Sequence, residues 1–127
     1  MRRSLLLTFV LSGCGGGLER ASFTTDLLSY RPGTRVGLSL VNASATNLGI
    51  NLCLSRVVTA DGKTPGPADP ESCVLEPQPL EPGERVDARK TLSTSIAPGT
   101  WRYETTIRLT SGAGEKVLTP PFTVTAN

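Results

Sequence analysis

Three cysteines, Cys14, Cys53 and Cys73, carry most of the chemistry open to this 127-residue chain. There is no histidine, and Met1 is the lone methionine. Every His-based catalytic arrangement is therefore excluded, and few soft ligands are left for copper. Neither Cys53 nor Cys73 has a His beside it, and their spacing fits no zinc site. Asp61, Asp69 and Glu71 lie near one another in a Pro-rich stretch and could be read as calcium ligands. Their spacing matches no calcium loop, however, and the prolines between them limit chelating turns. Ser12, Ser44 and Ser55 lack an activating base, so serine hydrolysis is not expected. No enzyme, metal or cofactor follows from these residues. The exposed charges of the Pro-rich stretch, Asp61, Lys63 and Asp69, are the candidate contact residues for a partner.

The elements that must position these residues read as β structure. Residues 99–110, GTWRYETTIRLT, put Trp101, Tyr103, Thr105, Ile107 and Leu109 on one side at period two. Arg102, Glu104, Thr106 and Arg108 fall on the other, so the pattern predicts a central strand with one wet face. Residues 22–30 predict a first strand with Asp26 in its middle, and Arg31-Pro32-Gly33-Thr34 a turn. Val36, Leu38 and Leu40 alternate in a second strand, and residues 48–58 in a third. Residues 60–70, with three Pro and two Gly, predict a long surface loop. Cys73-Val74-Leu75 is expected to be a short strand, and 76–83 a Pro-rich crossing. Residues 84–92 form a further strand with Val86 and Ala88 inward. Residues 115–126 close the domain, interrupted by Pro120-Pro121. The count is about seven short strands, three of them launched by Pro-Gly pairs at 32, 82 and 98. Alternating strands leave one face of each sheet to be covered, which favours a two-layer β-sandwich.

The first segment has a basic head, Met1-Arg2-Arg3, an apolar run SLLLTFVL too short to span a bilayer, and then Leu11-Ser12-Gly13-Cys14. It resembles the bacterial lipoprotein signal, whose lipobox is Leu, a small residue, Gly or Ala, then Cys. The resemblance implies cleavage before Cys14, a diacylglycerol on its sulfur and often a further acyl chain (palmitate or similar) on its amine. Two or more chains anchor stably where one does not, at about 0.8 kcal/mol per buried methylene. Gly15-Gly16-Gly17 then serves as a tether. The organisation expected is signal peptide 1–13, lipidated Cys and tether 14–21, and domain 22–127. Gly15 stands where an Asp would typically retain a lipoprotein at the inner membrane. The location implied is thus the cell envelope, on the outer membrane if there is one and otherwise on the outer face of the cytoplasmic membrane. Without Arg2 and Arg3, eleven basic residues face eleven acidic ones, and no basic run exceeds Arg89-Lys90. Such a chain lacks the counterion-release term for nucleic acid.

With Cys14 given to lipid, two cysteines remain in an exported chain. That is the arithmetic of one bridge, Cys53 to Cys73. It would stabilise by about 3 kcal/mol on a chain-entropy estimate.

A second resemblance covers residues 27–125. Its pieces are Tyr30-Arg31-Pro32-Gly33, Asn42 with Ser44, and Gly49-Ile50-Asn51-Leu52-Cys53. After Cys73 come Leu80-Glu81-Pro82-Gly83, Pro98-Gly99-Thr100-Trp101-Arg102-Tyr103 and Pro121-Phe122-Thr123-Val124. In this order they look like a bacterial immunoglobulin-like domain of small exported proteins, which implies a seven-stranded β-sandwich. Ile50 stands where many members carry Tyr. More loosely, the chain is similar to a sandwich domain of bacterial proteinase inhibitors.

Trp101 and Tyr103 are expected as core and rim packing rather than a glycan contact. Glu84, Asp87 and Arg89 read as the wet face of a strand. Asn42-Ala43-Ser44 fits a glycan acceptor sequon but reads better as a loop whose Asn bonds to backbone. Asn51 is expected to tie to the Pro-rich loop. The function expected is a non-enzymatic structural or protein-interaction module, anchored to the bilayer through Cys14 and meeting an envelope or extracellular protein. The alternative is a protease inhibitor that presents the 60–70 loop, stiffened by the bridge.

Overall fold

The computed structural model describes residues 20–126, so the signal-like segment, Cys14 and its glycines lie outside the described residues. The chain is all-β. The described residues form ten strands: β1 (Ala21–Thr25), β2 (Ser29–Tyr30), β3 (Arg35–Asn42), β4 (Leu48–Ile50), β5 (Arg56–Thr59), β6 (Gln78–Leu80), β7 (Arg85–Thr91), β8 (Gly99–Arg108), β9 (Gly114–Leu118) and β10 (Phe122–Val124). A 3-10 turn, Leu52–Leu54, separates β4 from β5. Two sheets pack as a sandwich. The small one runs β1-β3-β7. The large one runs β2-β10-β8-β4-β6, with β5 and β9 also paired to β8. As the period-two pattern predicts, β8 is the hub, bonded to β4, β5, β9 and β10.

The core lies between the sheets. Val36, Leu38 and Leu40 point into it from β3, and Tyr103 and Ile107 from β8, all essentially inaccessible. Phe122 of β10 meets Tyr30 edge-on at 5.4 Å and stacks on Tyr103 at 5.7 Å. Each such side chain contributes about 1.5–3 kcal/mol through burial. Truncating one, as in Leu38→Ala, would cost about 2–5 kcal/mol because the cavity only partly collapses. Trp101 is half-buried at the rim. Its ring lies against Gly66, where an added Cβ would come within 2.9 Å of it, and its indole N–H donates to the Ala97 carbonyl at 2.9 Å.

Several expected boundaries move, each for a local reason. The first strand is two. Asp26 takes the Tyr30 hydroxyl and the Gly37 amide on its carboxylate, and the chain there leaves β3 for β10. The third strand breaks because Leu54 and Ser55 donate their amides to Asn51 and Leu52, closing the 3-10 turn. Residues 73–75 form no strand; Asn51 holds that stretch instead, donating from its side-chain amide to the carbonyls of Val74 at 2.7 Å and Glu76 at 3.1 Å. The Pro-rich crossing contains β6, which reaches the sheet edge where Pro79 needs no ladder donor. Pro-Gly at 32 and 82 are turns as expected, with Gly33 and Gly83 both at φ +82°. At 98 the turn falls earlier, on Ser93–Ile96, and Gly99 already opens β8.

Pro120-Pro121 divides β9 from β10. Thr119, fully buried, fills the gap: its hydroxyl accepts the Tyr103 amide at 3.0 Å and its own amide reaches the Tyr103 carbonyl at 2.9 Å.

Candidate interaction surface

The Pro-rich loop is positioned by its own chain. Asp61 accepts the Thr59 hydroxyl at 2.5 Å and the Lys63 amide at 3.0 Å, and these two bonds hold its carboxyl below the usual range. Residues 64–66 then run back along β5. Thr59 donates to Thr64 O and Gly66 to Val57 O, both at 2.9 Å, closing the sheet edge there.

Beyond Gly66 the loop turns into the sandwich. Lys90 of β7 is buried, its side chain 3 % exposed, and its ammonium lies 2.8 Å from Asp69 Oδ2. The same ammonium donates to the Cys53 carbonyl. Asp69 Oδ1 accepts the Glu71 amide at 3.1 Å, and Glu71 Oε1 accepts the Thr91 amide on the outer edge of β7 at 3.0 Å. The Thr91 amide holds the Glu71 carboxyl below its ordinary value. Burial, with Asp69 and Glu71 adding, pushes the Tyr103 phenol upward, so that ring stays neutral in the core. A few residues on, Cys73 is bonded to Cys53, with Cα atoms 5.7 Å apart. One loop is thus tied to both sheets by an ion pair, a disulfide and main-chain bonds.

A cleft of about 500 Å³ opens between this loop and the β5–β7 edge, lined by the disulfide, Asp69, Lys90, Leu54 and Leu75 among others. Ser55 also lines it, and its buried hydroxyl has no hydrogen-bond partner among the described residues. No base touches that hydroxyl, and the Lys90 ammonium is engaged elsewhere, so the pair does not form a nucleophile and its activator. Among the described residues no three His, Cys, Asp or Glu side chains gather as a metal site.

At the cleft Leu54 (48 %) and Leu75 (78 %) form an exposed apolar ridge, with Val74 (73 %) next to Leu75 in the chain. Large apolar groups this open mark contact surfaces when they cluster. On its other side Leu54 and Leu75 border a shallow depression with Thr106 and Arg108 of β8. That depression belongs to the outer face of the large sheet. There Glu104, almost fully buried, meets Arg56 at 3.0 Å and Lys116 at 3.7 Å. Arg102 lies on the same face, bonded to Thr119 O at 2.7 Å and Ala60 O at 3.3 Å.

The charges singled out in the sequence are not brought together. Asp61 spends its carboxylate on its own turn, Lys63 is exposed, and Asp69 turns inward to Lys90. Cys53 and Cys73 are joined as expected, while Cys14 lies outside the described residues. Asn42 does bond to backbone, donating to the carbonyls of Thr46 and Leu80 at 2.8 Å and accepting the Ser44 amide at 2.9 Å. Sequence reading missed Lys90, Glu104 and the ridge. Lys90 shares the parity of Val86 and Ala88, which was the available signal. Glu104 sits on the expected wet face but is covered by its partners. No protein-family model matches the chain, and comparison with curated proteins gives no match.

Proposed function

We propose that this is a membrane-anchored cell-envelope lipoprotein whose immunoglobulin-like sandwich is a non-enzymatic protein-interaction module. The observation that carries it is Leu11-Ser12-Gly13-Cys14 with three glycines after it, ending only a few residues ahead of a sandwich whose first strand starts at Ala21. A disulfide inside the domain suits an exported chain. The division of the first strand between two sheets, β1 antiparallel to β3 and β2 parallel to β10, supports the immunoglobulin-like reading.

Protease inhibition through the 60–70 loop has weaker support. Thr64 O and Gly66 N–H already pair with β5, and Asp61 is folded onto its own turn. Backbone used internally is not free to align with a protease cleft.

Intact-mass analysis of protein extracted from bacterial membranes tests the anchor. The expected species begins at Cys14 and carries the mass of a diacylglycerol with or without an amide-linked acyl chain, and Cys14→Ala abolishes processing. A chain cleaved elsewhere and free of acyl groups would sink the proposal.

A further inference from the structure

We propose that the outer face of the large sheet docks flat on an anionic lipid surface, the one to which the chain is anchored. This rests on the lipid-anchor reading above. Registered neighbours place Arg56, Arg102, Arg108 and Lys116 on this face around the carboxylate of Glu104, and the 60–63 turn against Leu118 adds Asp61 and Lys63, whose charges cancel. Even with Glu76 counted against them, since it follows the ridge in the chain, two positive charges are left over. The side chains of Arg56 and Lys116 are more than half exposed. Arg108 is exposed as well; its stem lies across Gly49, where an added Cβ would meet its own Cβ at 3.1 Å, which fixes where the side chain leaves the sheet.

The apolar ridge borders this cationic face rather than standing apart, since Leu54 and Leu75 share a depression with Arg108. Cations beside exposed Leu and Val are what an interfacial surface needs. The charges answer anionic headgroups, and the apolar side chains enter the boundary beneath them. A second copy of the chain is disfavoured as the occupant, because it would set like charges against like.

Chain length favours the bilayer over a diffusing protein. Arg20 is held to Glu115 of β9 at 3.1 Å, and with Arg102 and Lys116 it lines a depression along that strand. From Cys14 to Arg20 is six residues, which reach about 22 Å at full extension. The acyl chains therefore cannot lie farther than that from the edge of the cationic face. Within such a distance the face meets the headgroups repeatedly, and only orientation has to be selected.

The test uses the acylated full-length product, its mass confirmed first, reconstituted into phosphatidylcholine vesicles and into vesicles with equal parts phosphatidylglycerol. Amide hydrogen exchange is read at 73–76, the stretch that carries the ridge and belongs to no strand. Exchange slower on the anionic vesicles, relieved by high salt, is the expected result. Arg108→Gln and Lys116→Gln should each lower the docking constant about fivefold, as one cation at an anionic surface contributes. Arg89→Gln, on the small sheet, should leave it unchanged. Equal exchange on the two vesicles with correctly acylated protein overturns the docking alone. A product without acyl groups removes the anchor and the docking together, and the mass spectrum shows this before any vesicle is mixed. Protection that appears only when envelope protein is added gives the face to a protein partner and also overturns the proposal.

Discussion

The two edges of the sandwich are laced together by different physics. At one edge the chain leaves β1 for β2 through a short crossing, and one carboxylate holds it. Asp26 accepts the Tyr30 hydroxyl at 2.5 Å and the Gly37 amide at 3.0 Å, while the Tyr30 oxygen accepts the Leu27 amide at 2.7 Å. At the other edge the Pro-rich loop spans a far longer contour. It is held by the Lys90–Asp69 pair, the Glu71–Thr91 bond and the Cys53–Cys73 bridge. The short crossing has little entropy to restrain, so local hydrogen bonds near solvent suffice. Restraining the long one takes a covalent link and a charge taken out of water. The molecule is brittle at the second edge. Water can replace a lost partner at Asp26, but it cannot easily reach Lys90.

Asp69→Ala should therefore have the largest effect, about 3–5 kcal/mol lost, because it leaves a buried ammonium uncompensated. Replacing both partners, Asp69→Leu with Lys90→Met, should recover most of that. Urea denaturation of the two variants checks this, and equal losses would show that the cavity, not the charge, sets the cost. Next comes the bridge. Cys53→Ser with Cys73→Ser should lower the thermal midpoint by about 10 °C or more, from the ~3 kcal/mol of a twenty-residue closure. A non-reducing peptide map with both thiols free would remove the basis for that expectation.

Tyr30→Phe, at the solvent-facing edge, should cost less, about 1 kcal/mol, since the lost bond is partly replaced by water. Its signature is in pH. Burial pushes the Asp26 carboxyl up, but the Tyr30 hydroxyl and the Gly37 amide outweigh it and leave it below 3.8. The deprotonated form is thus favoured in the fold, so its contribution is present above about pH 4 and fades as pH falls through the lowered value. Burial and the Asp26 bond push the Tyr30 phenol up to about 12. That contribution holds below the unfolded value near 10 and is lost as pH rises between the two. In Tyr30→Phe the acid limb should become shallower and the alkaline loss should shrink to the part that the raised Tyr103 phenol contributes, whereas the Lys90–Asp69 edge should be untouched by the substitution. The smallest change is expected from the leucines that stand on both edges. Leu28→Ser and Leu75→Ser should each alter stability within about 0.5 kcal/mol by the same denaturation assay, because both side chains are largely exposed.

Much of the frame was legible in the sequence. Alternation in 36–40 and 101–109 placed two inner faces correctly, because side-chain direction in a strand is fixed by parity. Parity does not report what covers the outer face, so Glu104 looked wet. Its burial comes from Arg56 and Lys116, one on each neighbouring strand. Breaks were harder still. The division at Asp26 depends on which sheet each half finds, a long-range choice that leaves no local mark except the charge itself. At the loop, composition foretold irregularity and the cysteines their link. Nothing in the spacing of Asp69 and Lys90 foretold their contact, since twenty-one residues and a Pro-rich crossing separate them.

The side-by-side, same-direction pairing of β2 with β10 carries a mechanical consequence. Thr123 donates to Leu28 O and Thr125 to Tyr30 O, both at 2.9 Å. Tension applied through Arg20 at one end and Thr125 at the other would pull these strands lengthwise in opposite directions. Their bonds would be loaded together in shear instead of being unzipped one by one. A fold held this way resists a lengthwise pull between those two ends better than a peeling one.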